Sequence, residues 1–273
     1  SKDWQRLDSA SLYGANTVQP FRSGSARFDR CGDMLYIRTS HSMYADENGL
    51  NHQANLTMAV RISDMTVTDE YSVVMNVKYG YVSHSFCQFI AVDEAEKKIV
   101  AADHGDAHPR AVMLTKYCAP AGQDKFMEQV RVDLGDGWYT WKYVDHADVL
   151  PIMGNFGAND TGVALGGFAI SDQAYMTVGN TVPQTQTGFN LYAQRNIFVT
   201  VTDKELSGTK LVMLTDYTDA DDMYISNPYI VRVDGNRLLV LWMEGRALRY
   251  TFVDGTGKVG ATYKFVLKGN FES

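Results

Sequence analysis

Cysteine and proline are both scarce in this sequence. Its 273 residues include three cysteines, Cys31, Cys87 and Cys118, which match no metal-binding spacing and cannot all pair. We interpret them as buried free thiols, because free cysteine commonly behaves as a small core residue. The six prolines and the 21% of charged residues do not fit a disordered chain. The composition therefore excludes a scaffold that depends on disulfides and an unfolded chain.

An excess of positive charge and long apolar runs are also missing. The sequence has 25 Lys and Arg residues and 32 Asp and Glu residues, which gives a net charge of −7. A phosphate-binding surface needs a cluster of cations, so this balance argues against a nucleic-acid partner, and we predict none. The longest notable apolar run, 238–243, is far shorter than the ~20 residues that cross a membrane, so we predict no membrane insertion. The sequence begins at Ser1 without methionine or a signal peptide, so we expect a processed or excised form.

Aromatic residues, by contrast, are abundant. The chain contains 16 Tyr, 12 Phe and 4 Trp, and flat or branched side chains suit the pleated surface of a strand. No window of the sequence shows the apolar period of an amphipathic helix. These two features predict an all-β fold.

Four-stranded units recur along the chain. Predicted inner strands at 86–93, 165–171 and 228–234 are each followed by a tight turn and three further strands. The N-terminal part fits the same template. The predicted blades cover residues 25–71, 84–135, 164–217 and 226–268, and the aromatic stretch at 138–144 is either a strand of a fifth blade or an insertion.

This repetition predicts a β-propeller. Antiparallel sheets arranged radially pack face to face and leave only short, protected edges. We therefore predict that residues 1–273 form a single propeller domain with four recognisable blades. The sequence also allows a fifth blade. The alternative architecture is a β-sandwich.

The loops that join second to third strands predict the functional face. They fall at 40–54, 103–109, 180–194 and 243–245, and most are long and polar, whereas most turns at the opposite end are short. Function usually lies on loops held by a rigid scaffold. We call the end of the molecule where these loops emerge the loop face, and we expect the binding site there.

Arginine and histidine recur at the predicted loop face. Arg110, Arg195 and Arg246 each begin a third strand, and Gln53 takes the matching position in the first unit. Converging guanidinium groups would suit an anionic or hydroxyl-rich ligand; the alternative is that each pairs with a nearby carboxylate or carbonyl. The predicted ligand-binding residues are His41, His52, Gln53, Asp103, His104, Asp106, His108, Arg110, Arg195 and Arg246.

We expect no zinc site among these histidines, because their spacing is not fixed by a helix and no cysteine joins them. An acidic run at 216–222 could hold calcium through Asp219, Asp221 and Asp222. The run lacks the glycine and the terminal glutamate of a calcium-binding loop, which favours a solvated turn.

Carboxylates at the loop face leave a catalytic alternative open. Asp103, Asp106 and Glu244 could supply the paired carboxylates that glycoside hydrolysis needs. Arg110 follows the two aspartates closely, and a nearby cation lowers the pKa of a carboxyl group. A general acid needs a raised pKa instead, so these residues favour binding over catalysis.

The strand pattern resembles the β-propeller superfamily. The segments 35–44 (LYIRTSHSMY), 51–57 (NHQANLT), 80–89 (GYVSHSFCQF) and 103–110 (DHGDAHPR) resemble secreted or surface repeat proteins of bacteria. The phrase SNPYIVRV at 226–233, followed by 238–243, is similar to blades of propeller glycosidases, although the Ser-x-Asp-x-Gly-x-x-Trp boxes of sialidases are absent. This resemblance brings no assigned activity with it. Our leading prediction is an exported bacterial protein, extracellular or at the cell surface, that binds a glycan or a protein through the loop face without catalysis. The alternative is a glycan-active propeller enzyme similar to the glycoside hydrolases.

Overall fold

The computed structural model of the chain consists of β-strands wherever it is described. The described residues are 17–20, 26–45, 51–68, 87–96, 98–105, 111–118, 129–135, 138–143, 147–154, 163–181, 195–206, 209–218 and 224–266. All regular elements within these segments are strands, and every strand pair with a defined register is antiparallel. A search of these segments finds no helix with the length and apolar character that crossing a membrane requires.

The strands form four successive sheets. Sheet 1 contains β1 (Thr17–Pro20), β2 (Arg27–Cys31), β3 (Met34–Ala45), β4 (Asn51–Arg61) and β5 (Val67–Thr68). Sheet 2 contains β6 (Cys87–Asp93), β7 (Lys98–Gly105), β8 (Ala111–Cys118), β9 (Gln129–Gly135), β10 (Trp138–Tyr143) and β11 (Ala147–Gly154). Sheet 3 contains β12 (Val163–Ile170), β13 (Ala174–Thr181), β14 (Ile197–Asp203) and β15 (Thr209–Met213). Sheet 4 contains β16 (Ile225–Asp234), β17 (Arg237–Glu244), β18 (Ala247–Asp254) and β19 (Tyr263–Val266).

Sheets 3 and 4 have the order predicted for propeller blades. Strands follow one another across each sheet, as β12-β13-β14-β15 and β16-β17-β18-β19. Together with sheets 1 and 2, they confirm the predicted fold class, an all-β chain of successive antiparallel sheets of the kind that form the blades of a β-propeller.

The chain divides into two compact units. Unit 1 comprises Ser1–Ala107 and Met113–Pro151, and unit 2 comprises His108–Val112 and Ile152–Ser273. Unit 1 therefore holds sheet 1 and most of sheet 2, whereas unit 2 holds sheets 3 and 4. The single domain expected for residues 1–273 stays a prediction.

Sheet 1 departs from the repeat at its inner position. Two short strands share that place: β1 pairs with the far half of β3, at residues 41–43, and β2 pairs with the near half, at residues 34–38. The sequence analysis predicted an inner strand in the region of β2 alone. The twelve residues of β3 are long enough to pair with both strands end to end.

Sheet 2 extends beyond the predicted end of its blade at residue 135. Its strand order is β6-β7-β8-β11-β10-β9, so β11 takes the fourth position and the predicted fourth strand, β9, lies at the outer edge. The reason is local pairing, because β9 forms a hairpin with the aromatic strand β10 in a register that joins Trp138 to Gly135. The stretch at 138–144 is thus an insertion within sheet 2 and not a strand of a fifth blade.

Sheets 1 and 2 pack through β2, β3 and β6 within unit 1. The Oδ2 atom of Asp29 accepts a hydrogen bond from the backbone N–H of Val92 at 2.7 Å, and the guanidinium of Arg27 lies 5.2 Å from the ring centre of Phe89. Both contacts join the inner strand of one sheet to the inner strand of the next.

Sheets 3 and 4 repeat this arrangement within unit 2, where β12 and β13 pack against β16. The approach is close, because a Cβ atom on Gly166 would lie 2.3 Å from the carbonyl oxygen of Pro228. Only a residue without a side chain fits there. Buried apolar side chains from both sheets fill the core between them, including Met176, Val199, Ile230, Leu238, Val240 and Trp242.

A β-bulge marks the inner strand of sheet 4. The register between β16 and β17 shifts between Ser226 and Tyr229, and Asn227 adopts a left-handed backbone with φ of 52°. Pro228 follows directly and is buried against Gly166. The bulge therefore lies where β16 meets sheet 3.

Candidate functional site

Several predicted ligand-binding residues lie within strands and not in the long loops that the sequence suggested. His41 belongs to β3 and pairs with Ala54, and Gln53, beside His52 in β4, pairs with Ser42. In sheet 2, Asp103 and His104 lie in β7, opposite Gln88 and Cys87. The expected loops at 40–54 and 103–109 are thus shorter than predicted. Backbone ladders continue through polar residues, because the ladder hydrogen bonds do not involve side chains.

Six of the predicted residues lie outside the described part of the chain. They are Asp106, His108, Arg110, Asp219, Asp221 and Asp222. Their assignment to ligand, catalytic or calcium sites stays a prediction.

Glu244, Arg195 and Arg246 can be followed in detail, all of them in unit 2. Glu244 ends β17, Arg246 lies in the two-residue turn before β18, and Arg195 lies just before β14. All three therefore lie where second strands pass to third strands, at the predicted loop face. We call these residues and their partners Asn196, Tyr217, Tyr224 and Arg249 the Glu244 cluster.

A buried carboxylate lies at the centre of this cluster. The side chain of Glu244 is 4% exposed and that of Arg249 is 26% exposed. Arg249 donates from Nε to Oε2 at 2.9 Å and from Nη2 to Oε1 at 2.6 Å. The hydroxyl of Tyr217 donates a further, short hydrogen bond to Oε2. Both carboxylate oxygens are thus occupied by donors from within unit 2.

These contacts keep Glu244 ionised. Burial acts to raise its pKa, but hydrogen bonds from Arg249 and Tyr217, with the charges of Arg249 and Lys264, outweigh burial and lower the pKa. The hydrogen bond to Glu244 likewise raises the pKa of Arg249. A carboxyl group in this state does not hold a proton near neutral pH, so Glu244 is unsuited to be a general acid.

Asn196 connects Tyr217 to sheet 3. Its Oδ1 accepts hydrogen bonds from the backbone N–H of Tyr217 at 2.6 Å and from the Thr215 hydroxyl at 2.9 Å, and its Nδ2 donates to the Tyr217 carbonyl at 3.0 Å. Its backbone N–H donates to the Thr181 hydroxyl at 2.7 Å. A polar network therefore runs from β13 through Tyr217 to Glu244 in sheet 4.

The exposed part of the cluster is formed by two arginines and a tyrosine. The guanidinium of Arg195 lies 5.4 Å from the ring centre of Tyr224, whose side chain is 64% exposed. The Tyr224 carbonyl accepts a hydrogen bond from the N–H of Gly245 at 2.8 Å, which places the turn carrying Arg246 beside it. Within the described part of the chain, neither Arg195 nor Arg246 has an ion-pair partner.

The structure thus brings Arg195, Arg246 and Glu244 to one end of unit 2 and adds residues that the sequence analysis missed. Arg249, and not Arg246, is the partner of Glu244. Cross-strand register could have indicated this, since Arg249 lies opposite Trp242, one diagonal step from Glu244. Nothing in the sequence pattern marked Asn196 or Tyr217. Among the residues that the structure describes, no group of three or more His, Cys, Asp or Glu side chains could hold a metal ion.

Comparison with solved structures gives a distant structural similarity. No protein-family model and no curated protein sequence matches the chain. The fold is similar to the crystal structure of an exo-β-1,3-galactanase from Phanerochaete chrysosporium with β-1,3-galactotriose, at a TM-score of 0.45 and 12% sequence identity. The alignment covers 93% of this chain and 52% of that chain, so this chain spans about half the length of the galactanase chain.

Proposed function

We propose that the protein recognises a carbohydrate through the Glu244 cluster. The observation that carries the proposal is the exposed ring of Tyr224, which lies against the Arg195 guanidinium and whose backbone carbonyl accepts a hydrogen bond from the turn of Arg246. Neither arginine is paired to a carboxylate of the described residues. An exposed aromatic ring offers an apolar face to the C–H groups of a sugar. The guanidinium of Arg195 beside the ring, and that of Arg246 on the adjacent turn, can donate to ring hydroxyls or to the carboxylate of an acidic sugar.

The buried network supports recognition because it fixes the backbone on both sides of the ligand-facing residues. Asn196 directly follows Arg195, and Glu244 precedes the Gly245–Arg246 turn by one residue. Each of these two buried residues accepts or donates at least three hydrogen bonds. A site that is held in place before the ligand arrives loses less conformational entropy on binding.

Glycan hydrolysis is the second candidate, favoured by the presence of a buried, ionised carboxylate at the same end of unit 2. Glu244 could act only as a base or as a stabiliser of positive charge, since its pKa is lowered. Hydrolysis therefore requires a second carboxyl group with the opposite pKa shift.

A binding experiment with three variants tests the proposal. β-1,3-Galactan oligosaccharides and oligosaccharides of uronic acids serve as neutral and acidic probes in calorimetric titrations. Tyr224→Ala and Arg246→Ala are each expected to weaken binding of the preferred probe by about tenfold or more, equivalent to ~1.4 kcal/mol. Arg61→Ala is the matched control, because Arg61 is also an exposed arginine but lies in unit 1.

The same samples distinguish binding from hydrolysis. Chromatography of the probes after incubation detects new reducing ends. Hydrolysis that disappears in Asp103→Asn or Asp106→Asn while binding persists would replace recognition with the enzymatic function. Binding that is unchanged in Tyr224→Ala and Arg246→Ala would contradict the proposed site.

A further inference from the structure

The Glu244 cluster has a fourth cation beside its three arginines. Lys264 of β19 lies directly opposite Arg249 of β18, so the two side chains are on the same face of sheet 4. The positive charge of Lys264 also contributes to the lowered pKa of Glu244. The ammonium group of Lys264 therefore belongs to the surroundings of this carboxylate, although the two form no ion pair.

Cations outnumber carboxylates at this end of unit 2. Glu244 is neutralised by its ion pair with Arg249. Asp216, which precedes Tyr217, is the further described carboxylate there, and it forms no ion pair with a described residue. The positive side chains are Arg195, Arg246, Arg249 and Lys264. Among the described residues, four cations thus accompany two carboxylates, in a chain whose net charge is −7.

The position of Lys264 opposite Arg249 is unfavourable in an empty site. Like charges directly opposite one another destabilise an antiparallel strand pair, and one carboxylate offsets only one of these two cations. Arg249 uses two of its five N–H groups on Glu244, which leaves donors for another acceptor. Sequences break such local rules mainly at functional sites, where a bound group compensates. An anion would be that group.

We infer that the Glu244 cluster, together with Lys264, binds a sugar that carries a carboxylate, that is, a uronic acid. This inference rests on the proposed recognition of a carbohydrate and names its class. The planar fork of a guanidinium matches the two oxygens of a carboxylate, and Arg249 and Glu244 already make such a pair within the cluster. The exposed ring of Tyr224 offers an apolar face to the same sugar.

The negative charge of the whole protein does not oppose this ligand at close range. At physiological ionic strength the screening length is ~8 Å, so acidic residues farther away than this are largely screened. The cations of the cluster act within that length on a carboxylate bound beside them. Binding should therefore depend on the ligand's charge and weaken as salt is added.

Matched probes test the charge of the ligand. Oligosaccharides of galacturonic, glucuronic and mannuronic acid are compared with their own methyl esters, which keep the sugar and remove the charge. In calorimetric titrations the preferred acid is expected to bind about tenfold or more tightly than its ester. This preference is expected to shrink as sodium chloride rises from about 0.05 to 0.5 M.

Two exposed cations provide the variants. Arg246→Gln and Lys264→Gln should weaken binding of the acid by about tenfold and about threefold, and binding of the ester by less. Lys258→Gln is the matched control, because Lys258 is an exposed lysine of the same sheet that lies before β19, at the opposite end from the turn of Arg246. The control should bind as the parent does.

The acidic run needs its own variant, because Asp219, Asp221 and Asp222 lie outside the described residues but between Tyr217 and Tyr224 in the sequence. One chain that combines Asp219→Asn, Asp221→Asn and Asp222→Asn removes this charge. The preference for the acid is expected to stay the same or to increase. A preference that disappears in this variant overturns the inference, because the aspartates and not the cations would then select the ligand.

The remaining outcomes separate this inference from the proposed function. An ester or a neutral β-1,3-galactan oligosaccharide that binds as tightly as the acids overturns the inference. If Tyr224→Ala then weakens that binding, recognition of a carbohydrate by the cluster still stands. A preference that Lys258→Gln reduces as much as Lys264→Gln overturns the assigned site. The absence of binding to every probe contradicts carbohydrate recognition itself and this inference with it.

Discussion

Arg249 donates two hydrogen bonds to the Glu244 carboxylate from the neighbouring strand, from Nε at 2.9 Å and from Nη2 at 2.6 Å. The carboxylate is buried whereas the guanidinium keeps partial access to water. The pair therefore joins the ends of β17 and β18 beneath the turn that carries Arg246. Stability measurements can test both the protonation of Glu244 and the contribution of its ion pair with Arg249.

Acid should weaken the protein partly through Glu244. The folded-state pKa of Glu244 is lowered, so its contribution to stability is fully present above its ordinary pKa of 4.5 and is lost as pH falls through the lower, folded-state pKa. We expect the melting temperature of the parent to fall more steeply below about pH 4.5 than that of Glu244→Gln, which cannot titrate. Thermal unfolding followed by circular dichroism between about pH 3 and 7 measures both curves. Parallel curves would show that Glu244 does not contribute.

Replacing Arg249 should lower the free energy of unfolding far more than replacing an arginine of an exposed ion pair. Arg249→Gln leaves a buried carboxylate with one fewer partner, and we expect a loss of about 2 kcal/mol, below the ~3–5 kcal/mol of a fully buried pair. Arg61→Gln breaks an ion pair with Asp64 in which both side chains are about half exposed, so less than ~1 kcal/mol is expected. Urea denaturation of the two variants gives the comparison. Equal losses would mean that the Glu244 pair behaves as a surface pair.

The contact between Gly166 and Pro228 should not tolerate a methyl group. In Gly166→Ala the new Cβ would lie 2.3 Å from a backbone oxygen and 2.6 Å from Cγ of the proline, so sheets 3 and 4 must separate. Overpacking of this kind costs ~1–3 kcal/mol, and we expect the upper part of that range. In Gly260→Ala the nearest atom lies 3.3 Å away, so a much smaller loss is expected. Thermal or urea unfolding ranks the two, and similar losses would contradict the close packing of the sheets.

Calcium should leave the protein unchanged. The acidic run at 216–222 lacks the glycine and terminal glutamate of a calcium-binding loop, so we expect equal melting temperatures in calcium and in a chelator. A rise in melting temperature with calcium that Asp221→Asn abolishes would instead identify a calcium site in the acidic run.

The sequence predicts the regular part of the fold well, because the strands of sheets 3 and 4 are rich in apolar residues and are separated by clear turns. The inner strand expected at 228–234 lies inside β16, and the tight turn at Gly235 and Asn236 leads into β17 as expected. The strand β11 was missed because Pro151 and Gly154 weaken its pattern, although it pairs with the preceding strand β10 at Lys142 and Asp148.

The candidate site could be predicted only in part. Position within the repeat was enough to place Arg195, Arg246 and Glu244 near strand ends. The partners of Glu244 could not be inferred in the same way, because Tyr217 is 27 residues away and reaches it only through the packing of two sheets. Asn196 is likewise 21 residues from the backbone groups it holds, so its role depends on tertiary structure.

The bulge at Asn227 and Pro228 also limits the pairing of further strands with β16, the edge strand on the inner side of sheet 4. An edge strand with a full set of free N–H and C=O groups is a template on which foreign strands can polymerise. Pro228 has no N–H to offer, and the left-handed backbone of Asn227 breaks the straight line of acceptors beside it. The bulge therefore obstructs fibril growth from the edge of β16, and its residue Pro228 is also the one that packs against Gly166.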